Sequence, residues 1–153
     1  MTTRILVQSE DFDAAAEVAA ITRGRTDIGA VVTFTGLCRD EGGRLAALEL
    51  EHYPGMAEDE IARVADAARA RWPLDAITVI HRSGKIAPGA QIVLVVTASS
   101  HRAAAFAGAE FLMDYLKTSA PFWKKEHPIA GPAGDWVAAR DEDDRAAARW
   151  RGA

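Results

Sequence analysis

The sequence is poor in cysteine, in long apolar runs and in net positive charge. One cysteine, Cys38, among 153 residues excludes an internal disulfide and any multi-cysteine metal site. No stretch approaches the ~20 apolar residues that a membrane-spanning helix needs. The start, MTTRILVQSEDFD, has no apolar run long enough for a signal peptide. The net charge of −4 argues against a general nucleic-acid binder, although a local basic pocket remains possible. We therefore expect a cytoplasmic protein.

The bulk composition is that of a globular protein. Hydrophobic residues make up 49% of the chain and charged residues 26%, which is the ordinary balance for a folded domain. A chain of this size can bury roughly 70% of the surface of its unfolded state. No internal repeat, low-complexity tract or linker interrupts it, so we expect a single domain over residues 1–153.

Hydrophobic periodicity predicts strands and helices in the order β-α-β-β-α-β-β-α-β-α. Strands are predicted at 4–8, 28–36, 45–53, 76–84, 90–99 and 122–126. Helices are predicted at 11–21, after Gly55 to about Arg71, from about His101 to Lys117, and in a last segment opened by DEDD (141–144). This mixed order predicts an α+β fold, with helices packed on a largely antiparallel sheet.

Local chemistry adds detail to this topology. Strands 28–36 and 45–53 flank the turn DEGGR and should form a hairpin. The run 90–99 is apolar almost throughout, so it should lie centrally in its sheet. Asp11 or Asp13 is expected to cap the first helix.

The stretch MDYLKTSAPFWKKE (113–126) places lysines on both sides of a helix break. Lys117 ends the predicted helix, Pro121 stops it, and Lys124 and Lys125 follow within an aromatic segment. An amine beside aromatic rings and a second cation can lose its proton near neutrality, which suits a catalytic base. Cations also stabilise the C-terminus of a helix without any catalytic role. The local sequence leaves both interpretations open.

The segment SSHR (99–102) lies where a buried strand is predicted to end and a helix to begin. Ser99 or Ser100 is the expected helix cap. The free backbone N–H groups of a helix N-terminus, together with His101 and Arg102, suit a phosphate or a carboxylate. The alternative is an ordinary helix start with a partly buried histidine and a surface arginine.

The loop FTGLCR (34–39) holds two further candidates. Arg39 could bind an anion with both ends of its guanidinium group, or it could simply be solvated. Cys38 could carry sulfur, although a free cysteine usually behaves as a small buried hydrophobe.

Together the motifs resemble the large, catalytic subunit family of molybdopterin synthases. They are, in order, GAVVTFTG followed by Arg39, LELEHYPGMAE, RWPL, TVIHRSG, SSHRAAAF, FLMDYLKTSAPFWKKE and GDWVAAR. The resemblance covers the chain from about Ile28 to Trp150. Its longest and most specific parts are EHYPGM and MDYLK..APFWK.

This resemblance implies a sulfurtransferase of molybdenum-cofactor biosynthesis with an α/β hammerhead fold. Its substrate would be cyclic pyranopterin monophosphate, which receives two sulfurs as a dithiolene. The sulfur would come from the C-terminal Gly-Gly thiocarboxylate of a small ubiquitin-like subunit, whose tail inserts into this chain. The family forms a heterotetramer, with a central homodimer of large subunits and one small subunit at each end. No cofactor or metal is implied.

The resemblance also assigns site residues. Lys117 matches the lysine beside the thiocarboxylate tail, and Lys124 the second active-site lysine. The implied substrate-binding residues are Leu37, Cys38, Arg39, His101, Arg102, Lys117, Lys124, Lys125 and Glu126. Phe34 and Met113 match apolar positions of the pocket wall.

One departure from the family pattern concerns Leu37 and Cys38, where relatives often carry a polar or basic residue and then a valine. A side-chain contact from residue 37 is therefore in doubt, whereas backbone contacts from 37–39 can survive. Two other functions stay open on the same sequence. One is a non-catalytic, partner-binding paralogue of the fold, and the other is an amine-nucleophile enzyme that acts on another phosphorylated heterocycle.

Helix geometry predicts a site shared between two copies of the chain. If 101–117 is one helix, then His101 and Lys117 are ~24 Å apart at 1.5 Å per residue. A pyranopterin monophosphate spans only about half that length by ordinary covalent dimensions. If His101 and Lys117 serve one pocket, as the resemblance implies, the histidine must come from a neighbouring subunit.

Overall fold

The computed structural model describes residues 1–137 and 141–151, and its elements follow the predicted order with an additional short strand. The strands are β1 (Thr2–Gln8), β2 (Ala30–Leu37), β3 (Leu45–His52), β4 (Ala76–Arg82), β5 (Gly84–Ile86), β6 (Gln91–Ser99) and β7 (Phe122–Pro128). The helices are α1 (Ala14–Thr22), α2 (Met56–Arg71), α3 (Arg102–Leu116) and α4 (Asp141–Ala148). The predicted α+β class is confirmed. The end of the GDWVAAR motif, 138–140, lies outside the described residues.

The strands form two sheets. The first has four strands in the order β1-β4-β6-β2, and the second has three in the order β5-β3-β7. β1 and β4 are parallel, whereas the other pairs are antiparallel. The largely antiparallel character and the central place of β6 are therefore as predicted, but the strands are divided between two sheets.

The predicted hairpin between 28–36 and 45–53 is wrong. β2 pairs with β6, and β3 pairs with β5 and β7 in the other sheet. After β2 the chain stays against the turn before β6, because the Cys38 N–H donates to the Ala90 carbonyl (2.8 Å) and the Gly89 N–H donates to the Cys38 carbonyl (2.6 Å). The turn that follows carries the chain to the second sheet instead of folding it back.

The predicted strand 76–84 is divided between two strands of the structure. β4 ends at Arg82, and Gly84 begins β5 with a φ of 85°. Only glycine adopts this backbone conformation without steric cost. The break at Gly84 moves the chain from the four-stranded sheet to the three-stranded one, which periodicity alone did not indicate.

The core lies on both faces of the four-stranded sheet. On one face Val79 and Val95 pack with Ile61 of α2 and Leu112 of α3, and all four are almost fully buried. On the other face Leu94 packs in a smaller cluster that side chains of α1 cover. α2 and α3 therefore lie together on one side of the sheet, and this arrangement fixes the direction of α3.

The helix starts test the predicted caps. Asp13 caps α1, since its Oδ1 accepts a hydrogen bond from the Ala16 N–H at 3.1 Å. The N-cap of α3 is His101, so neither predicted serine holds that position. Ser99 is still part of buried β6, and its hydroxyl donates to the Pro73 carbonyl at 2.7 Å. In the described part of the chain, none of the helices is long and apolar enough to cross a membrane.

Candidate active site

A cavity of about 820 Å³ opens between the end of α3, the loop after β2 and the three-stranded sheet. Its lining residues are Leu37, Cys38, Arg39, Gly42, Arg44, Leu45, Leu48, Ile92, Lys117, Lys124, Glu126, Pro128, Pro132, Gly134 and Asp143. This volume lies within the range of pockets that bind small molecules.

The two predicted catalytic lysines reach this cavity from different elements. Lys117 is the C-cap of α3, where its N–H donates to the Met113 carbonyl at 3.1 Å. Lys124 lies in β7 opposite Leu50 of β3. Its backbone also exchanges two hydrogen bonds with Val137, at 2.9 and 2.8 Å. A helix end and a doubly paired strand therefore hold the two amines at one cavity.

Alternation along β7 decides which neighbours of Lys124 face the cavity. Side chains of a strand point to opposite faces in turn. Lys124 and Glu126 line the cavity, whereas Lys125 lies with its Nζ 4.6 Å from the centroid of the Trp136 ring. Lys125 is thus not among the residues that the cavity brings together, and its predicted substrate contact stays a prediction.

The loop after β2 contributes Leu37, Cys38 and Arg39 to the lining of the cavity, and their predicted contact with substrate stays a prediction. Leu37 is 57% exposed, while Cys38 is 2% exposed and its thiol lies 3.9 Å from the Ile86 carbonyl oxygen. Burial raises the pKa of the Cys38 thiol, and the negative charge of Asp40 raises it further. A buried thiol that keeps its proton fits the small-hydrophobe interpretation.

The remaining predicted residues lie elsewhere in this chain. His101 and Arg102 are exposed at the N-terminus of α3. Since that helix is continuous, His101 is ~24 Å from Lys117 along its axis. Phe34 is 40% exposed on β2, and Met113 packs against the core. None of these four residues lines the cavity.

Charged side chains of both signs surround the cavity. The cations are Arg39, Arg44, Lys117 and Lys124, and the carboxylates are Glu126 and Asp143. Among the described residues that line the cavity, cations exceed carboxylates, so it favours an anionic ligand or peptide terminus. Arg44 and Asp143 were not predicted, because one lies in a turn and the other in an acidic run, where charged residues are ordinary.

His81 is a further residue that the sequence did not single out. It is 9% exposed, its Nδ1 lies 2.8 Å from the Arg82 carbonyl oxygen, and its ring stacks on that of Phe122. Burial lowers the pKa of His81 to about 4, and the positive charge of Lys117 contributes. The ring is therefore neutral at neutral pH. A lone histidine in an apolar strand carries no sequence signal that distinguishes it from a core residue.

The described residues contain no cluster of three or more histidine, cysteine, aspartate or glutamate side chains that could hold a metal ion. The cavity is instead lined by amines and guanidinium groups, which donate hydrogen bonds, and by two carboxylates, which accept them. Such a set binds anions and transfers protons.

Comparisons with known proteins agree on one family. The family model described as MoaE protein matches residues 7–119. The chain is 65% identical to the molybdopterin synthase catalytic subunit of Mesorhizobium japonicum over 96% of this chain and 92% of that protein. It is 67% identical to the molybdopterin synthase catalytic subunit of Rhizobium meliloti over 95% of this chain and 94% of that protein.

A solved structure shows the same fold. The molybdopterin biosynthesis MoaE protein from Burkholderia ambifaria superposes with a TM-score of 0.84 at 50% sequence identity. The superposition covers 97% of this chain and 98% of that one.

Proposed function

Because the chain belongs to the MoaE family of molybdopterin synthase catalytic subunits, we propose that its cavity is where sulfur is transferred to cyclic pyranopterin monophosphate. The enzyme of this family is a sulfurtransferase that forms molybdopterin. The observation that carries the proposal is the convergence of Lys117 and Lys124 on one cavity from two separate elements. Both lysines act in the transfer, with Arg39 and Glu126 beside them.

The sulfur donor is a small ubiquitin-like subunit with a C-terminal Gly-Gly thiocarboxylate. The names of the relatives support a partner, since each is one subunit of an enzyme. The excess of cations at the cavity attracts a thiocarboxylate anion. Exposed apolar side chains follow the lining residues Pro132 and Gly134, with Trp136 38% and Val137 50% exposed. They offer a surface for the body of the partner beside the entrance.

The chemistry follows from the placement of the amines. The thiocarboxylate sulfur forms a bond to a substrate carbon as the bond from that carbon to an oxygen substituent breaks. The oxygen leaves as water after protonation, or stays on the phosphate if it is a phosphate-ester oxygen, and a thioester then joins substrate and tail. Water attacks the acyl carbon, and the carbon–sulfur bond to the tail then breaks, so that sulfur stays on the substrate and the tail ends as a carboxylate. A neutral Lys117 or Lys124 takes the proton of the water, and a charged one stabilises the tetrahedral oxyanion. Two such rounds supply the two sulfurs of the dithiolene.

His101 and Arg102 complete the site from a second copy of the chain. In one chain they lie ~24 Å from Lys117, which is about twice the length of the substrate. A two-fold dimer brings the N-terminus of one α3 to the cavity of the other subunit and makes two equivalent sites. Their donors and positive charge hold the substrate phosphate. The assembly is a heterotetramer with a small subunit at each end, and it works in the cytoplasm.

Incubation with thiocarboxylated small subunit and cyclic pyranopterin monophosphate tests the function. We expect formation of the dithiolene product and conversion of the tail to a carboxylate, both measured by mass spectrometry. Small subunit with an ordinary C-terminal carboxylate is the matched control and should give no product. Tight binding of the thiocarboxylated partner without product would instead identify a non-catalytic paralogue.

A further inference from the structure

The ring of Phe122 connects the three-stranded sheet to the four-stranded sheet. Phe122 is the first residue of β7, two positions before Lys124. Its ring stacks on the ring of His81, with centroids 3.8 Å apart and planes 15° from parallel. It also lies 5.8 Å from the ring of His52, its pairing partner at the end of β3. Phe122 thus joins residues of both sheets.

His81 is a rigid support for this ring. β4 is paired on both sides, so that His81 faces Val7 of β1 and Val93 of β6 in the register. Its Nδ1–H donates to the Arg82 carbonyl at 2.8 Å. A side chain that is buried, hydrogen-bonded and placed on a central strand has little freedom to move. Phe122 therefore takes its position from the four-stranded sheet.

This contact matters because the two lysines belong to different layers of the fold. Lys117 ends α3, which packs on β6 and β2 of the four-stranded sheet. Lys124 lies in β7 of the three-stranded sheet. The distance between the amines thus depends on how the two sheets are held relative to each other. The stack of His81 on Phe122 is a direct contact between these sheets, two residues before Lys124 in β7. His81 also lies near enough to Lys117 for the charge of that lysine to lower the His81 pKa.

The charge state of His81 suits this role. Burial in the first place, with the charge of Lys117 in addition, lowers the pKa of His81 and keeps the ring neutral at neutral pH. A neutral ring stacks on Phe122 without placing another positive charge beside Lys117. The tautomer is set as well, since the Nδ1 proton is used by the Arg82 carbonyl.

We propose that His81 is a positioning residue for sulfur transfer, which acts through its stack with Phe122 to fix the start of β7 and so the place where Lys124 meets Lys117. The inference rests on the proposed roles of the two lysines. His81 itself does not line the cavity.

Two substitutions of His81 test the stack. His81→Phe keeps a flat ring against Phe122, whereas His81→Leu fills the space with an aliphatic side chain and removes the stack. In single-turnover assays with thiocarboxylated small subunit, we expect His81→Leu to lower the rate at saturating substrate on the order of 10- to 100-fold, since misplacement by about 1 Å has this effect. Its substrate KM and partner Kd should stay within about twofold of wild type, and His81→Phe should keep most of the rate.

A double-mutant cycle separates positioning from a general loss of structure. Phe122→Leu breaks the same stack from the other side. The double variant His81→Leu/Phe122→Leu should therefore be no slower than the slower single variant, whereas independent effects would multiply. If His81→Leu does not fold, Phe122→Leu compared with Phe122→Tyr makes the same test from the other ring.

The results that would refute positioning by His81 differ from those that would refute the proposed function. Positioning by His81 is refuted if His81→Leu transfers sulfur at the wild-type rate, if His81→Phe is as slow as His81→Leu, if only KM changes, or if the two losses multiply. The proposed function is refuted separately if Lys117→Ala keeps the wild-type rate in the same assay.

Discussion

At the scale of single residues, the proposed sulfur transfer depends on two amines that the fold brings to one cavity. Lys117 is exposed at the end of a helix and Lys124 is half-buried in a strand. Neither position alone indicates catalysis, because charged helix ends and strand lysines are common. The shared cavity is the feature that distinguishes them from the other lysines of the chain.

Lys117→Ala should reduce product formation by about 100-fold or more, the range expected when a general acid–base group is lost. Folding should be unaffected, because alanine is well tolerated at an exposed helix end. Single-turnover product formation and thermal unfolding measure the two effects. Lys85→Ala is the matched control, since Lys85 is exposed on β5 and does not line the cavity. Equal activity of the two variants would contradict the catalytic role of Lys117.

Cys38→Ser should keep most of the activity. The thiol is buried beside Leu50 and Ile86, and a serine hydroxyl in its place can donate to the Ile86 carbonyl. The substitution should cost roughly 1 kcal/mol of unfolding free energy from lost apolar packing. Activity and denaturant unfolding measure these effects. A well-folded but inactive Cys38→Ser protein, together with a persulfide on Cys38 in the wild type, would show that the cysteine carries sulfur.

At the scale of elements, α3 and β7 organise the site. α3 places His101 before its first residue and Lys117 after its last, so a single helix cannot present both residues to one small substrate. β7 presents Lys124 and Glu126 to the cavity and Lys125 to the opposite face. Helix length and strand alternation are therefore the local rules that sort the candidate residues.

Gly29→Ala should destabilise the junction of β2, β6 and α3. A Cβ at Gly29 would lie 2.1 Å from the Ser100 carbonyl oxygen, and this backbone atom cannot move without shifting the start of α3. We expect a loss of about 3 kcal/mol, at the upper end for overpacking. Gly134→Ala is the control, because its Cβ would meet only the Glu126 carbonyl at 3.7 Å. Denaturant unfolding compares the two, and equal stability would argue against the close approach.

At the scale of the whole molecule, burial of His81 makes folding depend on pH. Its pKa is about 4 in the folded chain, compared with 6.5 for an unperturbed histidine. Between pH 6.5 and about 4, His81 binds a proton in the unfolded chain but stays neutral in the folded chain. The folded chain therefore keeps the full stability that His81 contributes above pH 6.5 and loses it as the pH falls towards 4.

Protonation of His81 in the unfolded chain should therefore lower the unfolding free energy by about 2 kcal/mol between pH 7 and pH 5. Each pKa unit corresponds to about 1.4 kcal/mol. His81→Phe removes the titrating group and should lack this part of the decrease. Denaturant unfolding of both proteins at the two pH values gives the difference. If the two proteins lose the same stability, His81 is protonated more easily than its burial indicates.

Subunit exchange tests the site shared between two copies. Chains with His101→Ala and Arg102→Ala should be inactive, and so should chains with Lys117→Ala. In a mixture, heterodimers carry one cavity with all of its residues intact, so activity should return. Mass spectrometry of the intact dimers verifies the exchange. If exchange is complete and activity does not return, the shared site is refuted.

Local patterns in the sequence were sufficient to predict several elements of this protein and its family. The periodicity of 101–117 predicted α3 to within one residue at each end, and the apolar run 90–99 predicted a central strand. The motif around Lys117 and Lys124 indicated the family and the two amines. These features depend on neighbours in the chain, which is why they can be read without the fold. A single domain over 1–153 stays a prediction.

Only the tertiary structure decided which distant segments meet. The hairpin of 28–36 with 45–53 was wrong, because pairing depends on which partner buries a strand, and β6 buries β2. The stack of His81 on Phe122 joins residues 41 positions apart, and no local pattern encodes such a contact. The cavity likewise exists only where a helix end, a loop and a second sheet come together. Local periodicity sets the type and faces of an element, whereas burial across the whole chain sets its neighbours.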